Sequence, residues 1–156
     1  SGHLGYALAA MTIWNDADRQ ALVTRIRHVS PEAQALWGRM TARGMLAHLH
    51  ECARMALGEL AVPSKKLPIR YPPLKQLIIY LMPFPKGAPT APELVRRQAD
   101  DWIAELVDLE AAMDRLAAKS VATTWPDHPA FGTMSRRAWG TLVYRHTDHH
   151  LRQFGK

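Results

Sequence analysis

The chain has 156 residues, 47% of them apolar and 22% charged, which is typical of a single globular domain with its own core. No apolar run approaches the roughly 20 residues that a transmembrane helix needs, so the composition argues against a membrane protein. The formal charge is +6, but the basic residues occur as scattered doublets among acidic ones, which disfavours nucleic-acid binding.

The first ten residues are interpreted as a tag remnant or a disordered lead-in, with Met11 as the natural start. No Lys or Arg precedes their short apolar patch, which argues against a secretory signal. Residues 11–156 are predicted to form one domain. Cys52 is the only cysteine, so the fold cannot depend on an internal disulfide, and this favours a cytoplasmic protein.

The first predicted helix begins at Asn15 or Asp16, both of which are good N-cap residues, and runs to about His28. Its apolar side is expected to comprise Ala17, Leu22, Ile26 and Val29.

A serine and a proline at residues 30–31 predict a short helical turn that leads towards Trp37. Thr41 is expected to cap the second helix, which runs to about Leu60. The apolar side of this helix is predicted to contain Met45, Leu49, Cys52, Ala53 and Ala56.

The segment from Ala61 to Pro92 holds eight of the eleven prolines and cannot be one continuous helix. It is predicted to be a long connection with one short helix, Leu74 to Met82. Such a connection can cross a bundle from end to end. The short helix is expected to be buried against its own bundle, and roles as a cover over the metal or as a dimer face are left open.

The third long helix is predicted to start at the cap Thr90 and to span about 27 residues, through Leu116. Ser135 is expected to cap the last helix and Gly155 to terminate it. No segment alternates with period two, so no sheet is expected. The predicted fold class is all-α, a four-helix bundle with a long proline-rich connection between helices 2 and 3.

Five of the eight histidines lie in two short clusters, one in the second helix and one in the last. His146 and His150 are four residues apart, so they stack one turn apart on the apolar stripe and are expected to point inward. His48 shares the apolar side of its helix. His50 is turned about 200° from it and is expected to face solvent. His149 lies one residue off the apolar stripe, so it is a weaker ligand candidate and is expected to flank the site.

Three inward imidazoles, from His48, His146 and His150, predict a site for one divalent metal ion with a fourth position left open. Such an ion lowers the pKa of a bound water or thiol. The alternative is that these are ordinary core or surface histidines. Two neighbouring buried imidazoles would then each need partners for both ring nitrogens, which is costly.

Three other residues lie near these ligands. Cys52, one turn after His48, is expected to be a small core residue, although a fourth ligand or a reactive thiol stays open. Gln153 lies on the ligand side of its helix and could hydrogen-bond a bound water or substrate, but a plain polar residue at the helix end explains it equally well. Glu51 and Asp148 do not form the Glu-x-x-His pattern of di-iron bundles, so a two-metal oxidase is disfavoured. The sequence identifies no catalytic residue.

The segment from His146 to Gln153 resembles the H-x-x-H-H-x-x-Q signature of the DinB/YfiT-like superfamily, in a branch described as a domain of unknown function. Residues 45–49 are similar to the superfamily's helix 2 motif. The resemblance spans about Met11 to Lys156 and implies a four-helix bundle with a metal triad. Matched position by position, that triad falls on His48, His146 and His150.

Characterised members of the family include thiol-dependent transferases and an isomerase. The resemblance therefore implies a metal-dependent transferase or isomerase that acts on a small molecule with a low-molecular-weight thiol. Zinc or nickel is the first expectation for the metal, with iron or copper as alternatives. A non-catalytic metal-binding protein and a helical interaction module stay open as other functions.

Overall fold

The computed structural model describes residues 10–119 and 124–156, and within them the fold is all-helical, as predicted. In these residues the β-type pairing is limited to one isolated bridge between His128 and Gly132, across a tight turn. Nearly all of the predicted lead-in lies outside the described residues. The helices are α1 (Asp16–Arg27), α2 (Ala42–Leu57), α3 (Leu74–Tyr80), α4 (Trp102–Ala118) and α5 (Arg136–Gln153).

Four of these helices form the predicted bundle. Helix α2 packs along α4, α1 packs against α5, and α5 also contacts α2. The fifth helix, α3, is short and packs against α5. None of the helices in the described ranges has both the length and the apolar character needed to cross a lipid bilayer.

Side-chain caps define the starts of the four long helices, because each satisfies a backbone N–H that has no partner within the helix. Three of the four capping residues were predicted from the sequence. Helix α2 ends at Leu57, three residues before the predicted end, and its cap Gly58 has a left-handed φ of 80°, which suits glycine. The capping side chains are those of Asn15, Thr41, Asp101 and Ser135.

The prediction that the third long helix starts at Thr90 is wrong, because α4 begins at Trp102. The backbone N–H of Ala99 donates to the carbonyl of Arg43 (3.0 Å), and the Arg43 guanidinium donates to the Ala99 carbonyl (2.8 Å). These bonds tie residues 95–101 to the start of α2 instead of to a helical turn. The apolar side of α4 is buried from Leu109 to Leu116.

Two smaller expectations also differ from the structure. Ala17 is exposed, and the buried side of α1 is formed by Leu22, Val23 and Ile26 together with the stem of Arg19. The segment after Ser30 makes a single hydrogen-bonded turn to Ala33 rather than a helix.

The proline-rich connection contains the predicted short helix, which ends at Tyr80, two residues early. The Arg145 guanidinium on α5 donates to the carbonyls of Ile78 and Ile79, both at 2.7 Å, and also to that of Met82. Because these are carbonyls at the end of α3, Arg145 satisfies groups that have no partner within that helix. The connection is therefore anchored to the helix that carries His146 and His150.

His128 stabilises the corner before α5 through its neutral ring. Its Nδ1 accepts hydrogen bonds from the backbone N–H groups of Ala130 (3.0 Å) and Phe131 (3.2 Å), so this nitrogen must be unprotonated. Burial, together with the charge of Lys75, lowers the pKa of His128 to about 4.

We therefore expect acid to destabilise the metal-free protein partly through His128. The pKa is lower in the folded state than in the unfolded state, so this stability is present above pH 6.5 and is lost as the pH falls towards 4. Between pH 7 and pH 5 the loss from this residue should be about 1–2 kcal/mol. Urea unfolding at both pH values should show a smaller loss in His128→Asn, whose amide oxygen can still accept. An equal loss in both proteins would contradict the assignment.

Candidate metal centre

Helix α2 places His48 in the interior of the bundle, where the residue is 1% exposed. Thr41 caps the start of this helix, because its hydroxyl accepts a hydrogen bond from the Gly44 N–H at 2.9 Å. Neighbouring Met45 and Leu49 are also buried. The imidazole is therefore fixed by packing on an apolar helix face, as the spacing predicted.

Helix α5 carries the other two rings, one helical turn apart. The ring centroids of His146 and His150 are 4.7 Å apart, and those of His48 and His150 are 4.8 Å apart. His150 is buried, whereas His146 is partly exposed. The structure thus brings His48 together with two histidines that lie about 100 residues further along the chain.

The Nε2 atoms of the three rings point towards one another. His146 Nε2 lies 3.2 Å from the Nε2 of His48 and 3.2 Å from that of His150. Nitrogens bound to one tetrahedral zinc at ~2.05 Å would be roughly 3.3 Å apart. The two distances from His146 Nε2 therefore match the spacing of ligands that share a single ion.

The opposite nitrogens of two rings are already bound to acceptors. His48 Nδ1 donates to the Leu94 carbonyl at 2.8 Å, and His150 Nδ1 donates to Gln153 Oε1 at 2.9 Å. A neutral imidazole that donates from Nδ1 has its lone pair on Nε2. Both lone pairs are thus directed into the cluster, an arrangement that metal-binding histidines share.

Burial keeps the imidazoles in the neutral form that a metal ion requires. It lowers the pKa of His48, and with the neighbouring His48 ring it lowers the pKa of His150 to about 4. The pKa of His146 is held well below its usual range by burial and by the other two rings. At neutral pH the cluster therefore presents uncharged nitrogen donors.

Cys52 lies closer to the cluster than the sequence indicated. Its Sγ is 3.8 Å from both ring nitrogens of His48, and the ligand atoms of His48, Cys52 and His146 all lie within 4.8 Å of one another. This trio can hold a metal ion as a group. Burial and the charge of Glu51 raise the pKa of the thiol to about 12, so without a cation it stays protonated.

The prediction that His50 faces solvent is wrong. Its side chain is only 14% exposed and bonds to Glu105, with 2.7 Å between Nδ1 and Oε1. The Arg97 guanidinium also reaches Glu105 and, in addition, Glu51. Hydrogen bonding to Arg97 is the main cause of the lowered pKa of Glu105, and burial opposes it. His50 therefore belongs to a structural ion-pair network and not to the cluster.

Sequence reasoning missed two groups that support the site. The Leu94 carbonyl orients His48, and no residue type signals a backbone acceptor. Arg97 holds the segment that follows Leu94, but the sequence pattern indicates only a basic doublet at the surface.

Gln153 was identified from the sequence, although its role differs from a contact with water or substrate. Its Oε1 binds His150, and its Nε2 donates to the Trp37 carbonyl at 3.0 Å.

Replacing Gln153 by leucine should weaken metal binding about 10–100-fold, the usual cost of losing such a support. The reason is that His150 Nδ1 loses its acceptor, so the ring can change tautomer and turn. Gln153→Glu keeps an acceptor and should retain most of the affinity. Competition with a chromogenic chelator measures both variants, and unchanged affinity in Gln153→Leu would contradict this role.

A family model described as the DinB superfamily matches residues 15–154, nearly the whole chain. No curated protein and no solved structure matches the chain significantly.

Proposed function

Because the chain belongs to the DinB superfamily, we propose that His48, His146 and His150 bind one divalent metal ion as a three-nitrogen site with an open position. The observation that carries this proposal is that His146 Nε2 lies 3.2 Å from the Nε2 atoms of both other rings, whose Nδ1 atoms are held by acceptors on the far side. Zinc and nickel suit such a site best, and iron or copper would also accept imidazole ligands.

The ion would act as a Lewis acid that lowers the pKa of a water or thiol at its open position. The chain supplies the rest of the site. Leu94 and Gln153 hold two rings in the donor tautomer, and the buried His48 shields one side from water. The proposed reaction is a thiol-dependent transfer or isomerisation of a small molecule, with a low-molecular-weight thiol as co-substrate.

Two measurements test this function. Elemental analysis of protein purified without a nickel column should find about one metal per chain. Turnover screens with glutathione-, bacillithiol- and mycothiol-type thiols should then find activity that chelation removes. Metal-loaded protein that turns over none of them would count against the transferase or isomerase.

The second candidate is a closed, non-catalytic site in which Cys52 is a ligand. The proximity of the Cys52 sulfur to the ring nitrogens of His48 and His146 favours this candidate. A thiolate ligand would occupy the fourth position and leave no room for a substrate.

Cys52→Ser separates the two candidates. With an open three-histidine site, the variant should keep one metal per chain and bind it within a few-fold of wild type. If the thiolate is a ligand, affinity should fall by more than about 100-fold, beyond the cost of losing a supporting residue. Chelator competition on wild type and on Cys52→Ser and Cys52→Ala gives the answer, because the alanine variant controls for a weak hydroxyl ligand.

A further inference from the structure

The proline-rich connection forms a wall beside the histidine cluster, and Arg145 fixes its position. Besides binding three carbonyls at and just beyond the C-terminal end of α3, the guanidinium lies over the ring of Phe84, 5.0 Å from the centroid. The Phe84 ring in turn lies 6.2 Å from that of His146 and 5.8 Å from that of His149. One aromatic side chain is thereby held next to the partly exposed ligand.

A second aromatic side chain reaches the same place from the loop before α2. The Trp37 ring lies 5.8 Å from that of His149, and the Trp37 carbonyl is bound by Gln153, the residue that holds His150. Trp37 and Phe84 are both only partly buried. The outer side of the cluster is therefore bordered by two anchored, partly exposed rings.

Lys86 adds a positive charge to this border. Its ammonium lies 4.4 Å from the centroid of the Trp37 ring, and the residue is exposed. Within the described ranges it makes no ion pair. Asp148, beside His149, is instead engaged by Arg25 and Arg152.

We propose that Trp37, Phe84 and Lys86 form a recognition site for a carboxylate carried on an apolar body. The apolar part would contact the two rings, and the carboxylate would pair with the ammonium of Lys86. An ammonium over an indole is held by a cation–π contact and keeps donors free for an anion. This inference rests on the proposed function, since it names the substrate class of that site.

Phenylacetate and phenylacetamide are a matched pair of probes, because they share the ring and differ in the charge of the terminal group. Titrations followed by NMR, on metal-free and zinc-loaded protein, should shift the Trp37 indole signal with both. Phenylacetate should bind about two- to fivefold more tightly, as expected for one partly exposed ion pair. Added salt should reduce this preference.

Lys86→Gln should remove the preference and leave phenylacetamide binding unchanged. Lys66→Gln, an exposed lysine of the same connection, should keep it. Equal binding of both probes to wild type, or a preference that survives in Lys86→Gln, would overturn the proposal. Acetate should bind more weakly than phenylacetate, and equal binding would show that the rings take no part.

The metal content of the same proteins is measured in parallel. Lys86→Gln should hold as much metal as wild type. A wild type without metal would refute the proposed function, yet the probe preference could still be measured on the metal-free protein. Failure of the recognition site and failure of the metal site therefore give different results.

Discussion

Replacing His146 by alanine should abolish metal binding at neutral pH. Its Nε2 is the atom that lies 3.2 Å from both other Nε2 atoms, so its loss removes the centre of the cluster. Affinity should fall by more than about 100-fold, beyond what the loss of a supporting residue costs. Elemental analysis should find about one metal per chain in wild type and almost none in the variant.

His149→Ala is the matched control, because its ring adjoins that of His150 with centroids 5.4 Å apart and yet is a poorer ligand candidate. This variant should keep its metal. Saturating metal at 1,000 times Kd would add about 4 kcal/mol to the free energy of unfolding of a protein that binds it only when folded. Chelation should therefore lower the melting temperature of wild type and of His149→Ala, but not that of His146→Ala. A full metal content in His146→Ala would refute the site.

Arg97→Met should reduce the free energy of unfolding by about 2 kcal/mol, because it leaves two buried carboxylates without their shared cation. The Glu51 and Glu105 side chains are 5% and 10% exposed, and Arg97 contacts them at 2.8 and 2.6 Å. The cost should lie below the range for fully buried pairs, because the Arg97 side chain itself is 43% exposed. Arg54 still pairs with Glu51, and His50 still bonds to Glu105.

The same variant should weaken metal binding, since Arg97 holds the segment whose Leu94 carbonyl orients His48. Arg96→Met is the control, because Arg96 is an exposed neighbour on the same segment. Urea unfolding and chelator competition measure the two effects. Equal losses of stability in Arg96→Met and Arg97→Met would contradict the role of the buried network.

The positions of the long helices were largely predictable from local chemistry. Asn15, Thr41 and Ser135 cap helices because a side-chain oxygen next to free backbone N–H groups acts within a few residues. The stacking of His146 and His150 follows from the helical repeat alone. Prolines in the connection excluded a continuous helix for the same local reason.

The start of α4 was not predictable, because residues 95–101 carry a helical pattern that distant contacts override. Ala99 bonds to Arg43 and Arg97 to Glu51, and both partners lie on α2. His50 illustrates the same limit. The helical repeat gave its direction relative to His48 but not the presence of Glu105 in that direction.

The sequence by itself determined which histidines share a helix face, since that depends only on the 100° turn per residue. Only the tertiary structure decided how the rings meet: the 3.2 Å spacing of the Nε2 atoms, the acceptors on Nδ1 and the approach of Cys52. These depend on how two helices and a loop pack, and side chains far apart in sequence set that packing. The physical reason is range, because a helix face is a local property whereas a metal site requires atoms from distant segments to lie within a few ångströms of one another.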